Sequence, residues 1–254
     1  MKLFRLLLTR PKGLNISNRI AEDSCRKISF FPLIIISFNK IQPIVIKLSK
    51  LKKIDIFIFI SKHSIKAVMP TIIKFWSNYK KIIYITIGSA SAKELKKFGI
   101  DNVLYSFSNF PNSSKVLQLK ELKHIKNDRI IIFKGNDGNS LLYNTLKGRG
   151  AIVYSIISYS RKPPLLKHFI RHVNKNICDI VSITSLNSLK NFFLLINGCE
   201  KKSTFLKKVL IVTSTRVKYI ANTLGFKKVI VSPSYNIKNI LKDINNLSLI
   251  KKYD

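Results

Sequence analysis

Short blocks of branched aliphatic and aromatic residues alternate along this chain with stretches whose apolar positions recur every three to four residues. Blocks such as Ile54 to Ile60 are short and bounded by polar residues, which predicts buried strands. The run from Ile28 to Phe38, broken by Pro32, reads the same way. Between blocks, Val217, Ile220, Ala221 and Leu224 fall at i, i+3, i+4 and i+7, as do Ile237, Ile240, Leu241 and Ile244, the spacing of one helix face. Gly99 and Gly225 stand between such a helix and the next strand, where a left-handed cap favours glycine. Strands alternating with helices imply right-handed crossovers and parallel sheets covered on both faces.

The pattern occurs twice. Leu6-Leu7-Leu8-Thr9-Arg10-Pro11 matches Ile130-Ile131-Ile132-Phe133-Lys134-Gly135, each an apolar strand closed by a basic residue and a breaker. DIFIFISKHSIKAV from Asp55 matches DIVSITSLNSLKNF from Asp179, and the strand and helix from Lys81 match those from Lys208. The offset stays between 124 and 127 residues, so the chain is a duplication of one α/β half.

The chain has 254 residues and a formal charge of +34, which invites nucleic acid as partner. The distribution argues otherwise: only nine of the 46 basic residues are Arg, and the Lys residues are scattered with no basic tail. A solvated Lys surface without nucleic acid is the expectation. The start, MKLFRLLLTRPKG, lacks the length and cleavage site of a signal peptide, and no apolar run approaches the roughly 20 residues that span a bilayer. A cytoplasmic protein with no membrane contact is therefore expected. Cys25, Cys178 and Cys199 form no CxxC, and His168 with His172 lacks a third ligand and is expected on a basic, exposed helix, so no metal is expected. Nucleotide, serine-hydrolase and metalloprotease motifs do not occur.

Ligands of open α/β sheets bind beyond the carboxyl ends of the strands. Six turns are placed there: Thr9-Arg10-Pro11, Ser61-Lys62-His63, Gly88-Ser89-Ala90-Ser91, Lys134-Gly135-Asn136-Asp137-Gly138, Thr184-Ser185-Leu186-Asn187 and Thr213-Ser214-Thr215-Arg216. Each brings a hydroxyl, a glycine or an amide to a helix N-terminus, where N–H groups and the helix dipole favour anions. Ordinary helix capping explains any one of them. Six together suit a ligand with several negative groups.

Read in order, LLLTRPKG (Leu6 to Gly13), FPLIII (Phe31 to Ile36), FISKHSIKAV, ITIGSASAKELKKFGI, the long stretch Phe133 to Arg161 and the Thr184-Ser185 unit resemble the uroporphyrinogen-III synthase family over almost the whole chain. The resemblance implies an α/β fold of two similar doubly wound parallel-sheet lobes joined by a two-stranded linker, with a ligand cleft between the lobes. On this chain the first lobe is discontinuous, residues 1–36 plus 161–254; the second is 41–153; the linker strands are 34–40 and 154–160. It further implies an enzyme without cofactor that acts as a monomer on hydroxymethylbilane, a linear tetrapyrrole carrying acetates and propionates, supplied by the preceding pathway enzyme. The hydroxyl leaves as water, the far ring attacks through its substituted carbon, and a spiro intermediate recloses with ring D inverted. Tyr159, which matches the family's Tyr-x-Arg segment, is the implied general acid. Arg10, Ser61, His63, Gly88, Ser91, Gly135, Asn136, Arg161, Thr184, Ser185 and Ser214 are the implied substrate contacts. The chain departs from the family at Lys134, where Arg is usual, at Asn139, near which a further Arg is usual, and at Ser91, where Thr is usual. Lys keeps the charge and loses the bidentate fork.

Two other classes fit parts of the sequence. A non-catalytic, basic two-lobed module for RNA or another polyanion would show aromatics clustered with basic stripes, whereas here aromatics sit in strands. A two-lobed periplasmic binding protein conflicts with the missing signal peptide.

Overall fold

A computed structural model describes residues 4–10, 26–50, 53–77, 79–107, 112–138, 140–232 and 240. From the amino end the elements are β1 (Phe4–Leu8), β2 (Arg26–Phe30), β3 (Ile35–Phe38), α1 (Gln42–Ser49), β4 (Ile56–Phe59) and α2 (Lys62–Phe75). There follow β5 (Ile83–Thr86), α3 (Ser89–Lys96), β6 (Val103–Tyr105), α4 (Ser113–Val116), β7 (Arg129–Gly135) and α5 (Leu141–Gly148). The chain continues through β8 (Ile152–Lys162), α6 (Leu166–Lys175), β9 (Ile180–Ile183), α7 (Leu186–Asn197), α8 (Lys202–Leu206), β10 (Val209–Val212), α9 (Thr215–Thr223) and β11 (Lys228–Val231). It divides into two compact units, Met1–Ile35 with Pro163–Asp254, and Ile36–Lys162.

The first unit carries a five-stranded sheet in the order β11-β10-β9-β1-β2, parallel at each of its pairings. Helix α7 covers it because Leu189, Phe192, Leu195 and Ile196 recur on one face, where they meet Phe169, Phe205 and Phe226. Burying each Phe contributes roughly 1.5–3 kcal/mol. Arg5 ties β1 to the start of β9: its backbone N–H donates to Asp179 Oδ2 at 2.9 Å and its guanidinium to both carboxylate oxygens. That arrangement holds the Asp179 carboxyl below its usual range, with Arg5 the main cause.

The second unit carries a six-stranded sheet, β3-β8-β7-β4-β5-β6, in which β4, β5, β6, β7 and β8 run parallel. Phe57, Phe59, Phe133, Trp76 and Tyr84 pack on one face with α2, edge-to-face or stacked at 4.8–6.3 Å. Ile58, Ile85, Ile130, Ile132 and Leu146 fill the other face. Arg129 repeats the role of Arg5, its N–H donating to Asp55 Oδ2 at 2.9 Å. Both pairs join strands from opposite halves of the sequence: β1 lies beside β9, and β7 beside β4.

Gly99 and Gly225 take φ of +76° and +93° after α3 and α9, as their capping role requires. Three readings of the sequence need correction. The run from Ile28 to Phe38 is not buried strand throughout: it is split between β2 and β3, and β3, at a sheet edge, leaves Ile35 and Phe38 40% and 53% exposed. Lys134 and Gly135 belong to β7 and not to the turn, because the eleven-residue β8 keeps pairing with them. His172 is not on an exposed face: α6 turns its ring against Phe31 at 5.1 Å and encloses Nε2. Of the second predicted helix face only Ile240 lies among the described residues, and it is buried. Among the described residues no helix is long and apolar enough to cross a membrane.

Candidate functional site

Because β4, β7 and β8 are parallel, their carboxyl ends share one edge of the second unit's sheet. Ser61 follows β4 in extended conformation (φ −157°, ψ 163°) and caps α2 in a capping box with Ser64. Its Oγ accepts the Ser64 N–H, the usual way to satisfy a free donor at a helix start. The same hydroxyl donates to Tyr159 Oη at 3.0 Å.

Tyr159 is aimed by a bulge. The register between β7 and β8 slips so that Lys134 faces Ile157 and Gly135 faces Tyr159, and a bulge of this kind redirects the side chain that follows it. The ring lies directly over Gly135: a Cβ there would stand 2.7 Å from Tyr159 Cζ, so only glycine admits the tyrosine in this place. Tyr159 is 1% exposed.

Arg161, two residues on, folds back over the ring with Cζ 5.5 Å from its centroid, and Nη2 donates to Tyr159 Oη at 3.2 Å. Its Nη1 donates to both Asp137 oxygens at 2.6 Å. Burial works against the Arg161 charge, yet the Asp137 carboxylate and the Tyr159 hydroxyl outweigh it and raise the guanidinium above its ordinary value. Asn136 anchors the strand: its N–H donates to Tyr159 O and its Oδ1 accepts the Arg161 N–H. His63, in the first turn of α2, sets its ring 5.6 Å from that of Tyr159. Burial, then Lys62, Arg161 and Lys66, push its pKa down, which favours neutral imidazole at neutral pH.

Six of the twelve residues singled out from sequence thus meet here: Ser61, His63, Gly135, Asn136, Tyr159 and Arg161. Gly88 and Ser91 lie at the start of α3, after β5, where Gly88 O accepts from Thr86 Oγ1 and the Ser91 N–H. Arg10, Thr184, Ser185 and Ser214 belong to the first unit. There Ser185 and Ser214 cap α7 and α9, and Thr184 O accepts from Thr213 Oγ1. Asn139 lies outside the described residues. Asp137 was not singled out. The signal available was an acidic residue in a turn of a chain with only 12 acidic residues.

A family model described as uroporphyrinogen-III synthase HemD matches residues 18–242. The chain belongs to this family. The uroporphyrinogen-III synthase of Proteus mirabilis is 30% identical over 161 residues, which cover 61% of this chain and 79% of that protein. That of Escherichia coli K12 is 26% identical over 249 residues, covering 93% and 98%. The crystal structure of uroporphyrinogen-III synthetase from Helicobacter pylori 26695 superposes with a TM-score of 0.56 at 13% identity, over 97% of this chain and all (100%) of that one, which is a likeness of fold.

Proposed function

We propose that this chain closes hydroxymethylbilane to uroporphyrinogen III, with loss of one water and inversion of ring D, and that Tyr159 is the proton donor. Family membership supports the reaction. The observation that carries the mechanism is the Tyr159 hydroxyl, which accepts from Ser61 and Arg161 and so keeps its own proton for another acceptor.

Tyr159 gives that proton to the terminal hydroxyl of the substrate as its C–O bond breaks, the adjacent pyrrole supplying the electron pair that expels water. The azafulvene formed is attacked by the substituted carbon of the far ring, and the spiro intermediate fragments and recloses with that ring turned over. The proton released when the last pyrrole regains aromaticity restores the tyrosine. One water is the net loss. The pyrroles provide the electron pairs, so the protein's main task is to hold the chain in the conformation that favours attack at the hindered carbon.

The carboxylates of the substrate are assigned to Arg10, Gly88, Ser91, Thr184, Ser185 and Ser214, at or near turns where anions are favoured. Neutral His63 lines the site beside the tyrosine. The protein acts as a monomer in the cytoplasm on substrate passed from the preceding enzyme. Family membership disfavours the RNA-binding alternative.

Replacing Tyr159 by Phe tests the mechanism. Removing a general acid costs about 10²–10⁴-fold, so hydroxymethylbilane consumption should fall by at least tenfold. The variant should stay folded, losing about 1–2 kcal/mol for the hydrogen bonds given up. A folded variant with undiminished turnover removes Tyr159 from the chemistry.

A further inference from the structure

Arg161 stands where a substrate carboxylate would be sought, but its donors are already distributed. Both oxygens of Asp137 converge on Nη1 at 2.6 Å, which leaves Nη2 directed at Tyr159 Oη, 3.2 Å away. A carboxylate gripping guanidinium in the usual side-on fork would occupy two nitrogens and draw Nη2 off the phenol. Seating both oxygens on Nη1 alone does not.

The turn that carries Asp137 is fixed to the strand that carries Tyr159 and Arg161. The Asn136 N–H donates to Tyr159 O at 3.1 Å, the Arg161 N–H donates to Asn136 Oδ1 at 3.0 Å, and the Gly138 N–H closes the turn on Gly135 O at 3.3 Å. Lys134 Nζ braces the far side on Gly138 O at 3.2 Å. Asp137 is therefore held in place by its neighbours and in turn holds Arg161. Both side chains are about one-third exposed, and such ion pairs contribute little to stability.

We propose that Asp137 is a positioning residue: it pins Arg161 so that Nη2 remains on the Tyr159 oxygen, where it stabilises the negative charge that develops as the tyrosine gives up its proton, and it keeps Arg161 from capturing a substrate carboxylate. The inference rests on Tyr159 being the proton donor. It gives Arg161 a place beside the reacting group and removes it from the set of carboxylate anchors.

The experiment is a double-mutant cycle on steady-state turnover of hydroxymethylbilane with Asp137→Asn, Asp137→Glu, Tyr159→Phe and the pair Asp137→Asn with Tyr159→Phe. Misplacing a catalytic contact costs up to about 10²-fold, so Asp137→Asn should lower kcat by about tenfold with KM within about twofold. Asp137→Glu should recover most of the loss, and Asp137→Asn should cost nothing further once Tyr159 is Phe. Undiminished kcat in Asp137→Asn while Tyr159→Phe is impaired overturns the inference alone. A lower KM in Asp137→Asn also overturns it, because Arg161 is then a carboxylate anchor that Asp137 merely obstructs. An equal loss on the Tyr159→Phe background marks a structural role and overturns it too. Undiminished turnover in Tyr159→Phe sinks the proton-donor reading and this inference with it.

Discussion

Gly135 and Tyr159 form one feature from two residues. The ring rests on the backbone at Gly135, and the hydroxyl thereby reaches Ser61 and Arg161 together. Gly135→Ala places a methyl 2.7 Å from Tyr159 Cζ, a contact that neither the β7 backbone nor an enclosed ring relieves without moving. Overpacking of this kind costs about 1–3 kcal/mol. Thermal unfolding of Gly135→Ala should therefore shift to lower temperature, and turnover should fall with it, because a displaced ring loses both hydrogen bonds. Wild-type turnover in Gly135→Ala would show that the ring's seat on β7 does not matter. Tyr159, Arg161, Ser61 and Gly135 were legible in the sequence through the family resemblance, whereas Asp137 was not. Its role depends on which way Arg161 turns, and side-chain direction is set by the bulge in β8, which no residue pattern announces.

At the level of elements, the helices with strong periodicity were legible and the strand ends were not. Val217 and Ala221 mark the buried face of α9 as their spacing requires. The carboxyl end of β7 was misplaced because Lys134-Gly135 looks like a breaker, while pairing with a long neighbour overrides local preference. Three of the hydroxyls taken for ligand contacts, Ser61, Ser185 and Ser214, cap helices, the ordinary use of such residues. Helix α6 adds a dependence on pH. Burial holds the His172 pKa below its ordinary 6.5, so the folded protein keeps this ring neutral while the unfolded chain takes up a proton below that value. Stability is thus complete above about pH 6.5 and declines as the pH falls toward the folded-state pKa, with His63 contributing in the same direction. The denaturant midpoint should fall between pH 7.5 and pH 5.5, roughly the window of histidine titration, and His172→Gln should flatten part of that fall. An unchanged pH slope in His172→Gln would mean that the ring is not held neutral.

Across the whole molecule, the duplication is legible at residue resolution. Arg5 and Arg129 are equivalent, as are Asp55 and Asp179, and each arginine N–H meets the aspartate of the other half at 2.9 Å. The first strand of each half crosses over: β1 pairs in one sheet with a strand from the second half, and β7 in the other with a strand from the first. The duplication does not extend to the site. Tyr159, Arg161 and Asp137 converge on Ser61, whereas at the equivalent Ser185 the hydroxyl pairs with Ser188 Oγ at 2.9 Å. The most direct measurement supplies the purified chain with freshly made hydroxymethylbilane and separates the product isomers. Formation of the inverted isomer, uroporphyrinogen III, faster than spontaneous closure is the predicted result; the uninverted isomer alone, at the spontaneous rate, would contradict the assignment.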